Sequence, residues 1–109
     1  LADREKLLRV LLNGMQNAVQ AMGDGGVLRV SAKSSGRWVT IVIEDNGPGI
    51  SPDMQEHLFS PFYTTKSTGT GLGLAYCGKA IGDMKGTITL TNRADGRGAA
   101  LTIRLPAPP

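Results

Sequence analysis

The 109-residue chain has one cysteine, Cys77, and therefore no means of forming an internal disulfide. Aromatic side chains are few, two Phe, two Tyr and one Trp. They are not interleaved with cations in the manner of a single-stranded nucleic-acid module. No apolar run approaches the ~20 residues of a membrane-spanning helix, and no N-terminal stretch has the pattern of a secretory signal. Twelve Lys and Arg against nine Asp and Glu leave a net charge of +3, without the run of like charge that makes a basic tail. There is no internal repeat and no low-complexity linker; only Pro106-Ala107-Pro108-Pro109 reads as an exit from a folded unit. These absences exclude a disulfide scaffold, a membrane span and a nucleic-acid partner, and make a reducing, cytoplasmic setting the expectation. The length allows one domain. A first residue of Leu rather than Met is what a piece of a longer protein would show, and leaves membrane anchoring of that parent open.

Glycine is what the chain has in excess: 15 residues, roughly twice the average share of about 7%. Between the glycine clusters the elements are legible. From Asp3 to about Met22, Leu8, Leu11, Met15, Ala18 and Met22 recur at spacings of three and four, predicting a helix with a buried stripe. Residues 27–33 and 37–45 alternate around Ser34-Ser35-Gly36, with Leu28, Val30, Ala32, Val39, Ile41 and Ile43 on one face of an antiparallel hairpin. Ser51-Pro52-Asp53 opens a short helix to about Leu58, Ser as cap and Pro in the first turn. Residues 60–70 read as a loop. A second long helix is expected from Gly71 to Lys85, closed by Gly86 as its C′ residue. Strands 87–92 and 99–105 then flank the turn Ala94-Asp95-Gly96. This order predicts an α+β fold, an antiparallel-rich sheet with helices on one face.

Two features of this layout point to chemistry. On the first helix Asn13, Gln16, Asn17 and Gln20 share an arc opposite Leu11 and Met15. Asn is a poor helix former, and Gly14 costs about another 1 kcal/mol against Ala, so something other than helix propensity selects them. Asn13 and Asn17, at i and i+4, can reach one polar object together. At the end of the first hairpin Asp45 continues the parity of Ile41 and Ile43, on the side due to be buried. A carboxylate there needs a donor. An adenine amino group supplies one, guanine presents an acceptor instead, and the glycines of Asp45-Asn46-Gly47-Pro48-Gly49-Ile50 let a flat base approach the backbone.

Gly69-Thr70-Gly71-Leu72-Gly73-Leu74 leads into a helix and aims free backbone N–H groups at an anion, for which phosphate is the natural guest. Gly73 to Lys79 has P-loop spacing, but Ala80 replaces the required hydroxyl and no buried strand leads in. A dinucleotide fingerprint fails for want of the same strand.

Four segments now stand in order: Asn13-Gly14-Met15-Gln16-Asn17-Ala18, Asp45 to Ile50, Phe59-Ser60-Pro61-Phe62, and Gly69 to Leu74. Together they resemble the N, G1, F and G2 boxes of the ATP-binding catalytic domain of two-component sensor histidine kinases, across nearly the whole chain. Phe62-Tyr63-Thr64-Thr65-Lys66 and Gln16 to Ala21 resemble kinases of the nitrogen-regulation type. The resemblance implies a Bergerat fold, a two-layer α/β sandwich whose mixed, mostly antiparallel sheet is covered on one face by helices. It implies ATP and Mg²⁺ as ligands, Asn17 as the metal-binding residue and Asn13 assisting from the neighbouring turn. Asp45 would accept from the adenine amine, with Gly47, Gly49 and Ile50 shaping the base pocket. Phe59 and Phe62 would anchor a lid over residues 60–70, and Lys66 would reach a phosphate. Thr68, Gly69, Thr70, Gly71, Leu72, Gly73 and Leu74 would line the triphosphate, with the backbone amides of Gly69, Gly71 and Gly73 holding it.

Hydrolytic members of the wider superfamily place a Glu four residues before the metal-binding Asn, as a general base. Here that position is Asn13, which has no useful basicity. The resemblance thus implies a domain that holds ATP for an acceptor elsewhere, a histidine on a separate dimerisation domain of the same protein, with a response regulator served indirectly. His57 is followed by Leu58 rather than by an acid and reads as a surface or packing residue. The isolated chain is expected to be a monomer that binds nucleotide without phosphorylating itself. An edge strand that precedes the first box in relatives is expected to be absent. Ala99 stands where relatives often carry Thr or Ser, which puts one polar contact near the adenine in doubt. The competing readings are an ATPase or anti-sigma-type serine kinase of the same superfamily, and a degenerate module that serves only protein contact.

Overall fold

The computed structural model describes residues 4–22, 25–50, 73–93 and 98–107. Helix α1 spans Arg4–Met22, strand β1 Leu28–Ser35, β2 Trp38–Asp45, helix α2 Gly73–Asp83, β3 Thr87–Asn92 and β4 Ala99–Pro106. The four strands form one sheet in the order β1-β2-β4-β3, with every neighbouring pair antiparallel. β4 returns between β2 and β3, and α1 and α2 pack together over one face. This is the two-layer α+β arrangement that the sequence predicts. The short helix expected at 51–58 and the loop at 60–70 lie outside the described residues.

The core forms where alternation and helical periodicity meet. β2 turns Ile41, Ile43 and Asp45 inward, and β4 turns Ala99, Leu101, Ile103 and Leu105 inward. Val10 of α1 and Cys77, Ala80 and Ile81 of α2 close over them. Each large apolar side chain so buried contributes about 1.5–3 kcal/mol.

The helix stripe differs from the expected one. Leu8 is 56% exposed, whereas Val10, Gly14 and Ala18 are buried, with Leu7, Leu11 and Met15 beside them. Leu7, Leu8, Val10, Leu11 and Leu12 surround the first turns with apolar side chains, so spacing alone leaves the phase of the helix open; contact with the sheet selects it. Gly14 explains itself here. A Cβ at this position would come within 2.8 Å of Leu101 Cδ2 and 3.1 Å of Ile43 Cδ1, so glycine lets α1 settle against the sheet.

The first hairpin turns through Gly36-Arg37 rather than Ser34-Ser35-Gly36. Gly36 has φ +59° and Arg37 does not share a positive φ, the pattern of a two-residue turn with glycine at its first central position. Leu28, Val30 and Ala32 do lie opposite Asp45, Ile43 and Ile41, but Val30 and Ala32 are exposed, because α1 packs on β2 and scarcely reaches β1.

α2 ends at Asp83, and Gly86 is not its C′ residue. Lys85 takes the left-handed conformation, φ 65°. Its N–H bonds to Gly82 O at 3.0 Å while the Gly86 N–H bonds to Ile81 O at 2.9 Å, which places Lys85 at C′ and Gly86 at C″ of a Schellman cap. Glycine at 86 serves close approach instead: a Cβ there would collide with Arg104 O.

Candidate functional site

The ends of three strands converge on Asp45, the last residue of β2. The residue is buried, 5% exposed. Oδ1 accepts the Gly47 N–H at 2.9 Å and the Ala99 N–H at 3.3 Å. A carboxylate has about four lone-pair positions, so these two bonds leave acceptor capacity for a further donor. The expected inward orientation of Asp45 is present. Ala99 takes part in holding it through its backbone, a contact that needs no hydroxyl side chain.

Around this carboxylate the backbone is drawn tight. Gly98 has φ +91°, and a Cβ there would collide with the Asp45 carbonyl oxygen. Gly49 has φ +82° and lies against Asn92 Oδ1. Asn92, the last residue of β3, accepts the Ile50 N–H at 2.8 Å through Oδ1 and donates from Nδ2 to Ile50 O at 3.0 Å. Asn46 Oδ1 accepts the Val27 N–H at 2.9 Å, tying the entry of β1 to the exit of β2. Arg93 donates from Nη1 to the Asp45 carbonyl at 3.5 Å, and its Nε lies 3.6 Å from Glu44 Oε2. Residues 46–50 thus leave the sheet along a path fixed from several directions.

Helix α1 runs toward this end of the sheet. A Cβ at Gly26 would meet both Met22 Sδ and Asn46 Oδ1, so the last residue of α1 stands beside the segment that follows Asp45. Asn17 is therefore one turn closer to Asp45 than Asn13, and both are half-buried. Cys77, fully buried on α2, donates through Sγ to Val10 O at 3.7 Å. Burial pushes its thiol up to about 11 from an ordinary 9.0, while hydrogen bonds from the Asn13 side chain and from its own backbone pull the other way.

Gly73 and Leu74 open α2. Phe59, Phe62, Lys66, Thr68, Gly69, Thr70, Gly71 and Leu72 lie outside the described residues, as does His57. Asn46, Asn92, Arg93, Gly98 and Cys77 are absent from the sequence-derived set. Gly98 had a signal in its place just after the predicted turn 94–96. Asn92 and Cys77 read as an ordinary strand end and an ordinary core residue.

Residues 2–109 match the family described as histidine kinase-, DNA gyrase B- and HSP90-like ATPase. The chain is 45% identical over 105 residues to sensor histidine kinase ZraS of Escherichia coli O157:H7, covering 96% of this chain and 23% of that protein. It is 39% identical over 103 residues to sensory histidine kinase/phosphatase NtrB of Rhizobium meliloti, covering 80% of this chain and 27% of that one. The chain thus spans about a quarter of the length of these relatives. Among solved structures, the catalytic domain of histidine kinase ThkA superposes with a TM-score of 0.87 at 38% identity, over 96% of this chain and 68% of that one. ThkA in complex with response regulator protein TrrA superposes with a TM-score of 0.82 at 33% identity, over 98% of this chain and 30% of that one. The chain belongs to the histidine kinase-, DNA gyrase B- and HSP90-like ATPase family, and within it to the nucleotide-binding catalytic domains of sensor histidine kinases.

Proposed function

We propose that the whole of residues 1–109 is an ATP-binding catalytic domain that binds Mg-ATP and presents its γ-phosphate to a histidine on a separate dimerisation domain of the same protein, in cytoplasmic two-component signalling. The observation that carries this reading is Asp45: a buried carboxylate, held through one oxygen by two backbone N–H groups at the exit of a strand, with acceptor capacity remaining. The adenine amine is the donor it would take. Gly47, Gly49 and Ile50 would form the wall along the base, held in place by Asn92.

Asn17, half-buried on the helix that runs toward Asp45, fits Mg²⁺, which takes few protein oxygens and completes its shell with phosphate and water. The ion would neutralise phosphate charge. Asn13 would support the same cluster from the neighbouring turn. Lys66 and Thr68 would reach phosphates, Phe59 and Phe62 would anchor the lid, and Gly69, Thr70, Gly71, Leu72, Gly73 and Leu74 would wrap the triphosphate. The domain's contribution would be positioning and charge neutralisation around an in-line transfer. With an amide at Asn13 no side chain there can activate water, so ATP would be kept for the acceptor. A response regulator would be the indirect partner, as TrrA is found with ThkA. The isolated chain would be a monomer.

Ligand that binds only the folded state raises its stability. A thermal melt with Mg-ADP should therefore rise by several degrees and one with Mg-GDP should barely move. Equal shifts with the two nucleotides would refute the base assignment, and no shift with either would refute the function.

A further inference from the structure

We infer that the sheet face opposite α1 and α2, which no described element covers, is an interaction surface for a protein partner presenting acidic side chains. Register fixes its composition. Lys33, Thr40 and Arg104 lie in one row across β1, β2 and β4, and Arg29 and Glu44 in another. These residues alternate with Ile41, Ile43, Leu101 and Ile103, which face the helices, so they stand on the opposite side. Arg37 adds a fourth cation at the adjoining turn.

The balance on this face is one-sided. Glu44 is its only carboxylate among the described strand residues, and Arg93 already lies 3.6 Å from it. Arg29, Lys33 and Arg37 have no ion-pair partner among the described residues. The chain as a whole carries only three charges in excess, so this face concentrates what the rest nearly cancels.

At its edge Arg104 lies over the Trp38 ring, 4.5 Å from the centroid. Trp38 is 36% exposed. An arginine held on an aromatic has less freedom to lose on binding, and Trp and Arg are among the residue types enriched at the energetic centre of protein interfaces. Thr40 and Thr102 in the middle are half-buried, whereas Arg29, Lys33 and Arg104 are exposed. A tryptophan whose ring face is taken by Arg104 is not offered to a nucleobase for stacking, which favours a carboxylate-bearing protein over a nucleic acid. Four strands about 4.8 Å apart and up to eight residues long make a face of roughly 15 by 25 Å. That is about half of one partner's share in a standard interface of ~800 Å², the size of a transient contact.

The probe is a 16-residue peptide of alternating Glu and Ser, followed by the fluorescence of Trp38, the only tryptophan. Binding should change this emission, with an affinity that falls at least tenfold between 50 and 200 mM salt. Lys33→Glu with Arg104→Glu should weaken binding at least tenfold. Arg4→Glu with Lys79→Glu, an equal change of charge on the helical layer, should weaken it less than twofold. In both variants the shift with Mg-ADP should persist, which separates this surface from the nucleotide site. Absence of peptide binding, equal loss in the two variants, or tighter binding of a 16-nucleotide single strand or of phosphatidylserine vesicles than of the peptide would overturn the inference.

Discussion

The backbone N–H of Ala99 donates to Asp45 Oδ1 at 3.3 Å, fastening the first residue of β4 to the last residue of β2 across 54 positions of sequence. Gly47 N–H meets the same oxygen, so among the described residues the donors that orient the Asp45 carboxylate are backbone N–H groups.

Asp45→Asn keeps an acceptor for these two N–H groups and replaces the other oxygen with a donor, which would oppose the amine of an adenine bound as proposed. The fold should survive while Mg-ADP affinity drops at least tenfold, about 1.4 kcal/mol. Calorimetric titration with Mg-ADP, beside circular dichroism, checks this. An unchanged affinity in a folded variant would remove Asp45 from the base pocket.

Asn17→Ala addresses the metal. In the unaltered chain ADP affinity should rise when Mg²⁺ is added, and in the variant that rise should shrink severalfold while metal-free affinity stays within about twofold. Fluorescent-nucleotide titrations with and without EDTA read both numbers. A rise of the original size would assign the ion elsewhere.

Gly14→Ala should destabilise the domain although alanine favours helix. Propensity returns about 1 kcal/mol, but the new methyl would lie 2.8 Å from Leu101 Cδ2, and overpacking of this kind costs about 1–3 kcal/mol. A lower urea midpoint for Gly14→Ala, recovered in part by adding Leu101→Val, is the expected result.

Cys77 makes stability depend on alkaline pH. Burial holds the thiol protonated in the folded state up to about 11, against an ordinary 9.0, so between these values the unfolded chain has released a proton that the folded one keeps. Stability from this source is complete below pH 9 and is lost as pH rises toward 11. Urea midpoints from pH 8 to 11 should therefore fall more steeply for the unaltered chain than for Cys77→Ala, whose other titrating groups are the same. Parallel slopes would contradict it.

What was legible in the sequence was what local pattern controls. Alternation along 38–45 and 99–105 marks the two central strands, and parity alone puts Asp45 inward. The phase of α1 was not legible, because Leu7, Leu8, Val10, Leu11 and Leu12 offer more than one apolar face and only the sheet beneath decides among them. Nor was the exposure of Val30: alternation shows which side chains share a face, not whether a helix covers it. Gly98 and Asn92 escaped for a third reason. Their partners, Asp45 and Ile50, lie 42 or more residues away, and such closures have no local signature.

Asn92 also limits what evolution or engineering can place at that position. With one short side chain it offers Ile50 both a donor and an acceptor, as an adjoining peptide group would, extending the sheet by one unit without another strand. Aspartate would keep half of that imitation and leucine none. Only a primary amide on a stem of this length supplies the complete mimic, so the path of the chain at Ile50 depends on the side chain of a residue 42 positions away.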